Sequence, residues 1–310
     1  MKKLLIQLDT DLHPAVFDTV VAYDGGADHV IGHGGCTPDN VRALVEGAIF
    51  TRAPKEKKFT AIFIGGSDMV AGEKLFKAVQ KVFFADFRVS VMLDSNGSNT
   101  TAAAGVAKML SGNKVVGPGY IVSEAAVAGV GKMLRGNKVA GKKAVILAGT
   151  GPVGRRAAVM LAKEGAEVVL TSRDAARAAE ACKDIKTRFN VDVKAVGAPD
   201  MESRGRATEG AQIVFACGAA GAQLLSAQYW QSSPTLEMLA DANATPPLGI
   251  EGMDMMDKGK DRNGKICWGA IGFGTLKLAL HRACISKLFE RNDLVLDAEE
   301  IFTLAKTMAQ

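Results

Sequence analysis

The chain is poor in the residues that build metal sites and disulfide frameworks. Only four of its 310 residues are histidine (His13, His29, His33, His281), and none belongs to an HExxH-like spacing. His29 and His33 are four apart, but Gly32, Gly34 and Gly35 disfavour the helix that would put both imidazoles on one face. No metal site is expected. The five cysteines, Cys36, Cys182, Cys217, Cys267 and Cys284, contain no CxxC pair, which points to free thiols in a reducing cytoplasm. No apolar run reaches the roughly 20 residues that span a bilayer, so no membrane partner is expected. The opening MKKLLIQLDTD turns charged after a short apolar run and reads as a first strand, not a secretory leader. A net charge of +5, with the two signs interspersed, is too weak a footprint for nucleic acid but suits an anionic cofactor or substrate. No Ser/His/Asp or Cys/His set for nucleophilic catalysis is evident.

Hydrophobic residues make up 48% of the chain and charged residues 23%, ordinary values that allow a sizeable core, and the length suits two domains. The first hundred residues alternate strand and helix. Strands are expected at 4–8, 29–31, 60–64 and 89–93. Helices are expected from Pro14 to about Tyr23, from an N-cap at Thr37 with Pro38 in the first position, and from Asp68 to about Phe84. Further strands fall at 191–196, 212–216 and 236–239, and helices at 275–289 and from Ala298. Alternation of this kind implies α/β architecture with mostly parallel sheets.

The most informative stretch is AVILAGTGPVGRRAAVMLAKEGAEVVLTSR (144–173). An apolar strand runs into Gly149-Thr150-Gly151-Pro152-Val153-Gly154. A helix with Val153, Ala157, Met160 and Leu161 on one face follows, and then a second strand at 167–170. This is a dinucleotide-binding fingerprint in its structural context. Gly149 is expected to allow the tight turn, Gly151 the approach of a pyrophosphate, and Gly154 close helix–strand packing; the helix N-terminus would face the phosphates. NAD-binding chains place an acid at the tip of the second strand. Here Ser172 and Arg173 stand there, which suits the 2′-phosphate of NADP, and Asp174 reads as the N-cap of the next helix. The turns after the later strands, around Cys217, Gly218 and Ala219 and around Asn243, are candidate cofactor loops.

One feature is unusual. AGVAKMLSGNKVVG (104–117) returns as AGVGKMLRGNKVAG (128–141), with eleven of fourteen positions alike. Two short helices are expected, broken by Pro118-Gly119, with the extra one at a domain boundary or an oligomer surface.

Several blocks together resemble the NADP-dependent methylene-tetrahydromethanopterin dehydrogenases of methylotrophic bacteria: LDTD (8–11), AYDGGADH (22–29), TPDNV (37–41), LDSNGSNTTAAAGVA (93–107), AGTGPVG (148–154), ADANATPPLGI (240–250) and TLKLALHRACI (275–285). The duplicated 104–141 region departs from that pattern, which has one short linker there. The resemblance implies a Rossmann-type NADP domain and an α/β substrate domain built from the N- and C-terminal segments, with a cleft between them. The expected bounds are 1–110, 111–274 and 275–310. It also implies oxidation of the methylene one-carbon unit of the pterin to the methenyl level, with some members accepting methylene-tetrahydrofolate as well. By motif, a phenylalanine beside the reacting ring falls on Phe17 and a lysine of the GxLK segment on Lys277. Homo-oligomeric assembly is expected.

Read from the residues alone, Phe17 also fits a core aromatic. Lys277, off an apolar stripe of Leu276, Ala279 and Ala283, also fits a solvated helix face. Asp9, Asp11, Asp94, Asn96 and Asn99 follow strand ends and could bind the pterin, or in the case of the 94–99 group cap a helix. Two alternatives stay open. A methylene-tetrahydrofolate dehydrogenase with cyclohydrolase activity would carry Tyr-x-x-x-Lys, but Tyr23, Tyr120 and Tyr229 are followed at that spacing by Ala27, Glu124 and Ser233. A non-catalytic NADPH-binding regulator shares the fold, but would not need the Phe17 and Lys277 motifs.

Overall fold

The computed structural model describes residues 1–111 and 139–309, which form two compact units: Met1–Ala104 with Gly274–Gln310, and Gly105–Phe273.

In the first unit, strands β1 (Leu4–Asp9), β2 (His29–His33), β3 (Thr60–Gly65) and β4 (Ser90–Leu93) alternate with helices α1 (Val16–Asp24), α2 (Arg42–Phe50), α3 (Met69–Val82) and α4 (Ser98–Ser111). The C-terminal strand β12 (Val295–Leu296) completes a parallel sheet of order β12-β4-β3-β1-β2. The central strands β3 and β4 are buried at every residue, as a parallel sheet covered on both faces requires. Ile62, Ile64, Val91 and Leu93 pack with Val45, Ile49, Leu75 and Val79 from the helices. The chain steps from β1 to one side and then crosses to β3 on the other, so the β1/β3 boundary is a switch point where a crevice opens at the strands' carboxyl ends.

In the second unit, β5 (Lys143–Leu147), α5 (Pro152–Lys163), β6 (Glu167–Ser172), α6 (Ala175–Phe189), β7 (Lys194–Gly197), α7 (Met201–Thr208), β8 (Ile213–Ala216) and β9 (Met238–Asp241) are followed by a hairpin, β10 (Lys258–Arg262) and β11 (Lys265–Trp268). The sheet order is β10-β11-β9-β8-β5-β6-β7, parallel except at β10/β11. Its switch point lies between β5 and β8. The boundaries between units fall inside α4 and α8 (Ala270–Leu288); α9 (Ala298–Met308) ends the chain. The α/β class expected from sequence holds.

Four local expectations need correction. Thr37 does not cap α2, which starts at Arg42 after Val41. The Asn40 amide oxygen accepts from Thr37 N and its amide nitrogen donates to Gly35 O, which folds 37–40 into a turn ahead of the helix. The β10/β11 hairpin was not expected, although Asn263-Gly264 marks it: both residues have positive φ (53° and 72°), the requirement of a two-residue hairpin turn. Helix α8 starts five residues before the expected 275, and its buried stripe is Phe273, Leu276, Leu280, Cys284 and Leu288, while Ala279 is exposed. The larger side chains of Phe273, Leu280 and Leu288 take the core positions. Finally, the left-handed residue of the fingerprint turn is Ala148 (φ 52°), not Gly149. Of the duplicated segment, Ala104–Ser111 continues α4; the rest of the two expected helices lies outside the described residues.

Two glycine substitutions should separate conformational freedom from packing. Gly47 lies inside α2 with open space where a Cβ would be, so Gly47→Ala should raise stability by about 0.5–1 kcal/mol. A Cβ on Gly154 would come within 2.6 Å of Gly149 Cα. Gly154→Ala should therefore cost about 1–3 kcal/mol through overpacking. Urea denaturation midpoints of the two variants, moving in opposite directions, check both.

Candidate functional site

In the second unit the strand ends hold an anion-receptive cavity of about 690 Å³. Gly149 is pressed against Leu170 and Ile146, where a Cβ would meet side-chain carbons at 2.7 and 3.0 Å, and Gly154 against the backbone of Gly149. Above Gly151, nothing lies within 4 Å of a Cβ position. Gly151 is the extended N-cap of α5 and no side chain caps the helix, so its first amides face open space. That is what a pyrophosphate needs.

The cavity is lined by Ala148, Thr150, Thr171, Ser172, Arg173 and Gly218, among others. It also contains Arg177 and Arg204, making three guanidinium groups among its described lining residues. Sequence reading missed the last two. Arg177 lies in the first turn of α6, four positions after Arg173, a proximity that could have flagged it. Arg204 comes from α7, 31 positions after Arg173 in the sequence, and only the fold brings it in. Its Nε donates to Leu224 O at 2.7 Å. Burial pushes the Arg204 guanidinium below its ordinary pKa; Asp200 opposes this and nearby Arg173 adds to it. Two cations that repel each other across an open cavity form a receptor for a doubly charged anion. Asp174 lines the cavity too, but its Oδ1 accepts from Ala176 N and Arg177 N as the expected N-cap.

Of the other residues expected here, Cys217 and Asn243 do not line the cavity. Burial, then Asp241, pushes the Cys217 thiol up, away from reactivity. The Asn243 amide accepts from Thr245 N and donates to Pro247 O, holding its own loop.

In the first unit a second cavity, of about 380 Å³, opens at the β1/β3 switch point, lined by Asp11, Phe17, Asp18, Ser67, Asn96 and Lys277, with Gly97 and Thr101 near. Phe17 is 51% exposed, so it is no core aromatic. Lys277 Nζ sits 4.2 Å from its ring centroid. The Asp11 carboxylate accepts from Ser67 N and Oγ, joining the loops after β1 and β3.

Three residues expected to touch substrate are instead buried and held by hydrogen bonds to backbone and neighbouring side chains. Asp9 accepts from Asp11 N and Ala15 N. Asp94 accepts from Asn99 N, Thr100 N and Thr100 Oγ1, the helix-capping alternative. The Asn99 amide nitrogen donates to Leu93 O and Asp297 Oδ1. None of the three lines the cavity.

Sequence reading also missed the titratable cluster beneath it. His281, one turn after Lys277, is fully buried. Neither ring nitrogen has a hydrogen-bond partner among the described residues, and Nδ1 is 3.9 Å from Asp94 Oδ2, beyond hydrogen-bonding range. Its ring stacks on Phe63 at 5.4 Å. Burial, with Lys277 adding, pushes His281 down to about 3, so it is a neutral imidazole. Burial raises Asp94 to about 6, against Thr100 and Lys277. Burial raises Asp18 to about 7, helped by Asp94 and opposed by Lys277. Lys277 itself is lowered by burial, with Asp94 and Asp18 opposing.

Comparison with known proteins gives the family. Residues 16–96 match the family described as methylene-tetrahydromethanopterin dehydrogenase, N-terminal. A protein of Methylorubrum extorquens named bifunctional protein MdtA is 56% identical over 310 residues, 99% of each chain. Another from that organism, named NAD(P)-dependent methylenetetrahydromethanopterin dehydrogenase, is 32% identical over the full length of both. The chain belongs to the methylene-tetrahydromethanopterin dehydrogenase family. A shikimate 5-dehydrogenase structure from Mycobacterium fortuitum, 13% identical over 98% of both chains with a TM-score of 0.51, shares the fold alone.

For this family member the buried histidine has a clear signature. Between about pH 3 and 6.5 an unfolded chain binds a proton at His281 that the folded chain does not, so folded stability is lost as pH falls through that window. His281→Leu should gain on the native protein by up to about 1.4 kcal/mol per pH unit as pH drops below 6.5. Chemical denaturation at stepped pH measures this; a pH-independent difference would contradict a buried neutral imidazole.

Proposed function

We propose that the protein oxidises N5,N10-methylene-tetrahydromethanopterin to the methenyl form with NADP as hydride acceptor. The observation that carries the cofactor choice is the cluster of Arg173, Arg177 and Arg204 around one cavity, with Ser172 at the tip of β6 where an NAD site would place an acid. The substrate reading is supported by family membership and by Phe17 and Lys277 lining one cavity. A cytoplasmic location in one-carbon metabolism is part of this reading. A homo-oligomer is part of the same reading. Among the described residues no helix is long and apolar enough to cross a membrane, and all five cysteines are free.

The chemistry needs no general base. Hydride leaves a carbon flanked by two nitrogens, and the nitrogen lone pairs delocalise the resulting charge as an amidinium. Bound NADP supplies the acceptor carbon. The protein's task is alignment at near-contact distance and control of charge. The residues fit the cofactor: the uncapped α5 N-terminus would take the pyrophosphate, and Ser172 with the arginines the 2′-phosphate. In the other cavity, Phe17 offers an exposed ring face for a flat heterocycle. Lys277 presents an ammonium with no hydrogen-bond acceptor among the described residues. Placed beside the carbon it would oppose the developing charge, so its role is to donate hydrogen bonds that orient the pterin.

Turnover of purified protein with NADP or NAD, against methylene-tetrahydromethanopterin and methylene-tetrahydrofolate, tests the reading; activity only with the folate, or with neither, would overturn it. Arg173→Ala should weaken NADP binding by about 1–3 kcal/mol, as for a charge-assisted hydrogen bond, and leave NAD binding nearly unchanged. Equal losses for both would remove the 2′-phosphate role. Phe17→Ala and Lys277→Ala should cut turnover while NADP affinity holds. Thermal unfolding should move far less for Phe17→Ala than the roughly 3–5 kcal/mol of a buried aromatic.

A further inference from the structure

Two carboxylates line the Lys277 cavity among the described residues, and they differ in one respect. Asp11 is tied to Ser67 N and Oγ. Asp18, on α1 beside Phe17, accepts no hydrogen bond and has no cation within ion-pair distance among the described residues, yet it is partly buried and lines the cavity. Every other acid near it is committed: Asp9, on β1, to the amides of Asp11 and Ala15, and Asp94, after β4, to Asn99 and Thr100. From α8 it is faced by Lys277, whose own neighbour one turn on, His281, is a neutral imidazole. A partly desolvated carboxylate with no partner is costly to keep.

The proposed reaction supplies a use for it. The methylene C–H bond breaks and hydrogen leaves with both electrons for the nicotinamide, which is reduced. A ring-nitrogen lone pair moves toward the carbon, which is oxidised. No proton is released. One positive charge is thereby transferred from the nicotinamide to the pterin. That charge forms in a cavity already holding the Lys277 ammonium, 4.2 Å above the Phe17 ring. Taking that dehydrogenase reading as its basis, we propose that Asp18 is a further catalytic residue: its carboxylate is the fixed negative charge against which the amidinium cation forms. At separations of about 5–6 Å and an effective dielectric of about 20, one such charge is worth up to on the order of a hundredfold in rate. The charged form of Asp18 is the one that acts, so no proton moves in the step. Free, the group sits at about 7, raised by burial and by Asp94 and held down by Lys277.

Asp18→Asn keeps the shape and removes the charge. With methylene-tetrahydromethanopterin and NADP, its kcat should fall about tenfold or more, and the native rise of kcat with pH through about 7 should flatten. Binding of the methenyl cation, measured as product inhibition, should weaken by a similar factor. KM for the neutral methylene substrate and the Kd for NADP should stay within about twofold, because neither involves the new charge. Asp18→Glu should restore part of kcat. If Asp18→Asn is insoluble, Asp18→Ala is measured with the same expectations. Unchanged kcat and product inhibition in the variant, with an active native enzyme, overturn the proposal. Equal weakening of the neutral substrate and the cation also overturns it, since that marks a role in shape. A native protein without turnover overturns the dehydrogenase reading beneath it.

Discussion

The first unit is organised around an ammonium group that has no hydrogen-bond acceptor among the described residues. Lys277 is half-buried on α8, held over Phe17, with acids near enough to be felt but none close enough to pair. Keeping it there demands a rigid frame, because a cation on a flexible stem would otherwise swing to water or to a carboxylate. Leu276 and Leu280 anchor that stretch of α8 in the core. The loop after β4 is pinned by Asp94 to the first amides of α4, and the loop after β1 by Asp9 and Asp11. Asp9, Asp11 and Asp94, which could have quenched the lysine, are instead held by backbone amides and hydroxyls, and Asp18 alone of the four acids has no hydrogen bond among the described residues.

The polar cluster beneath the cavity costs stability. His281 is buried without a hydrogen bond at either nitrogen, and Asp18 and Asp94 are held above their ordinary range. Their effects on stability oppose one another: the imidazole disfavours low pH, while the raised carboxyls lose stability as pH rises from about 4 toward 6–7. Such groups cluster where chemistry requires them, and the fully buried β3 and β4 supply the apolar core that offsets them. In the second unit the corresponding demand falls on backbone geometry. Gly149 and Gly154 close the turn, and Gly151 leaves it open to a ligand.

The parts of this arrangement that were legible in sequence are those set by local rules. The β-strand runs, the GxGxxG context, the Asp174 cap and the serine–arginine pair at the tip of β6 are all readable within a window of a few residues. What escaped depends on residues far apart in the chain. Arg204 joins Arg173 only because α7 packs beside β6, and Asp18 and His281 acquire their character from burial that no local pattern reveals. Asp9, Asp94 and Asn99 follow strand ends as ligand-binding residues do, but polar residues there can bind either substrate or backbone, and only the hydrogen bonds distinguish the two. The Asn263-Gly264 hairpin is different, since its turn signal is local and stands plainly in the sequence.

The central claim is direct hydride transfer from the pterin methylene to NADP, with no proton exchanged with water. The most direct test is turnover with substrate deuterated at the methylene carbon, followed by mass analysis of the reduced cofactor and of the methenyl product. The account predicts one deuterium carried into NADPH, one retained on the pterin, and none lost to solvent. Solvent hydrogen at the transferred position of NADPH would contradict it.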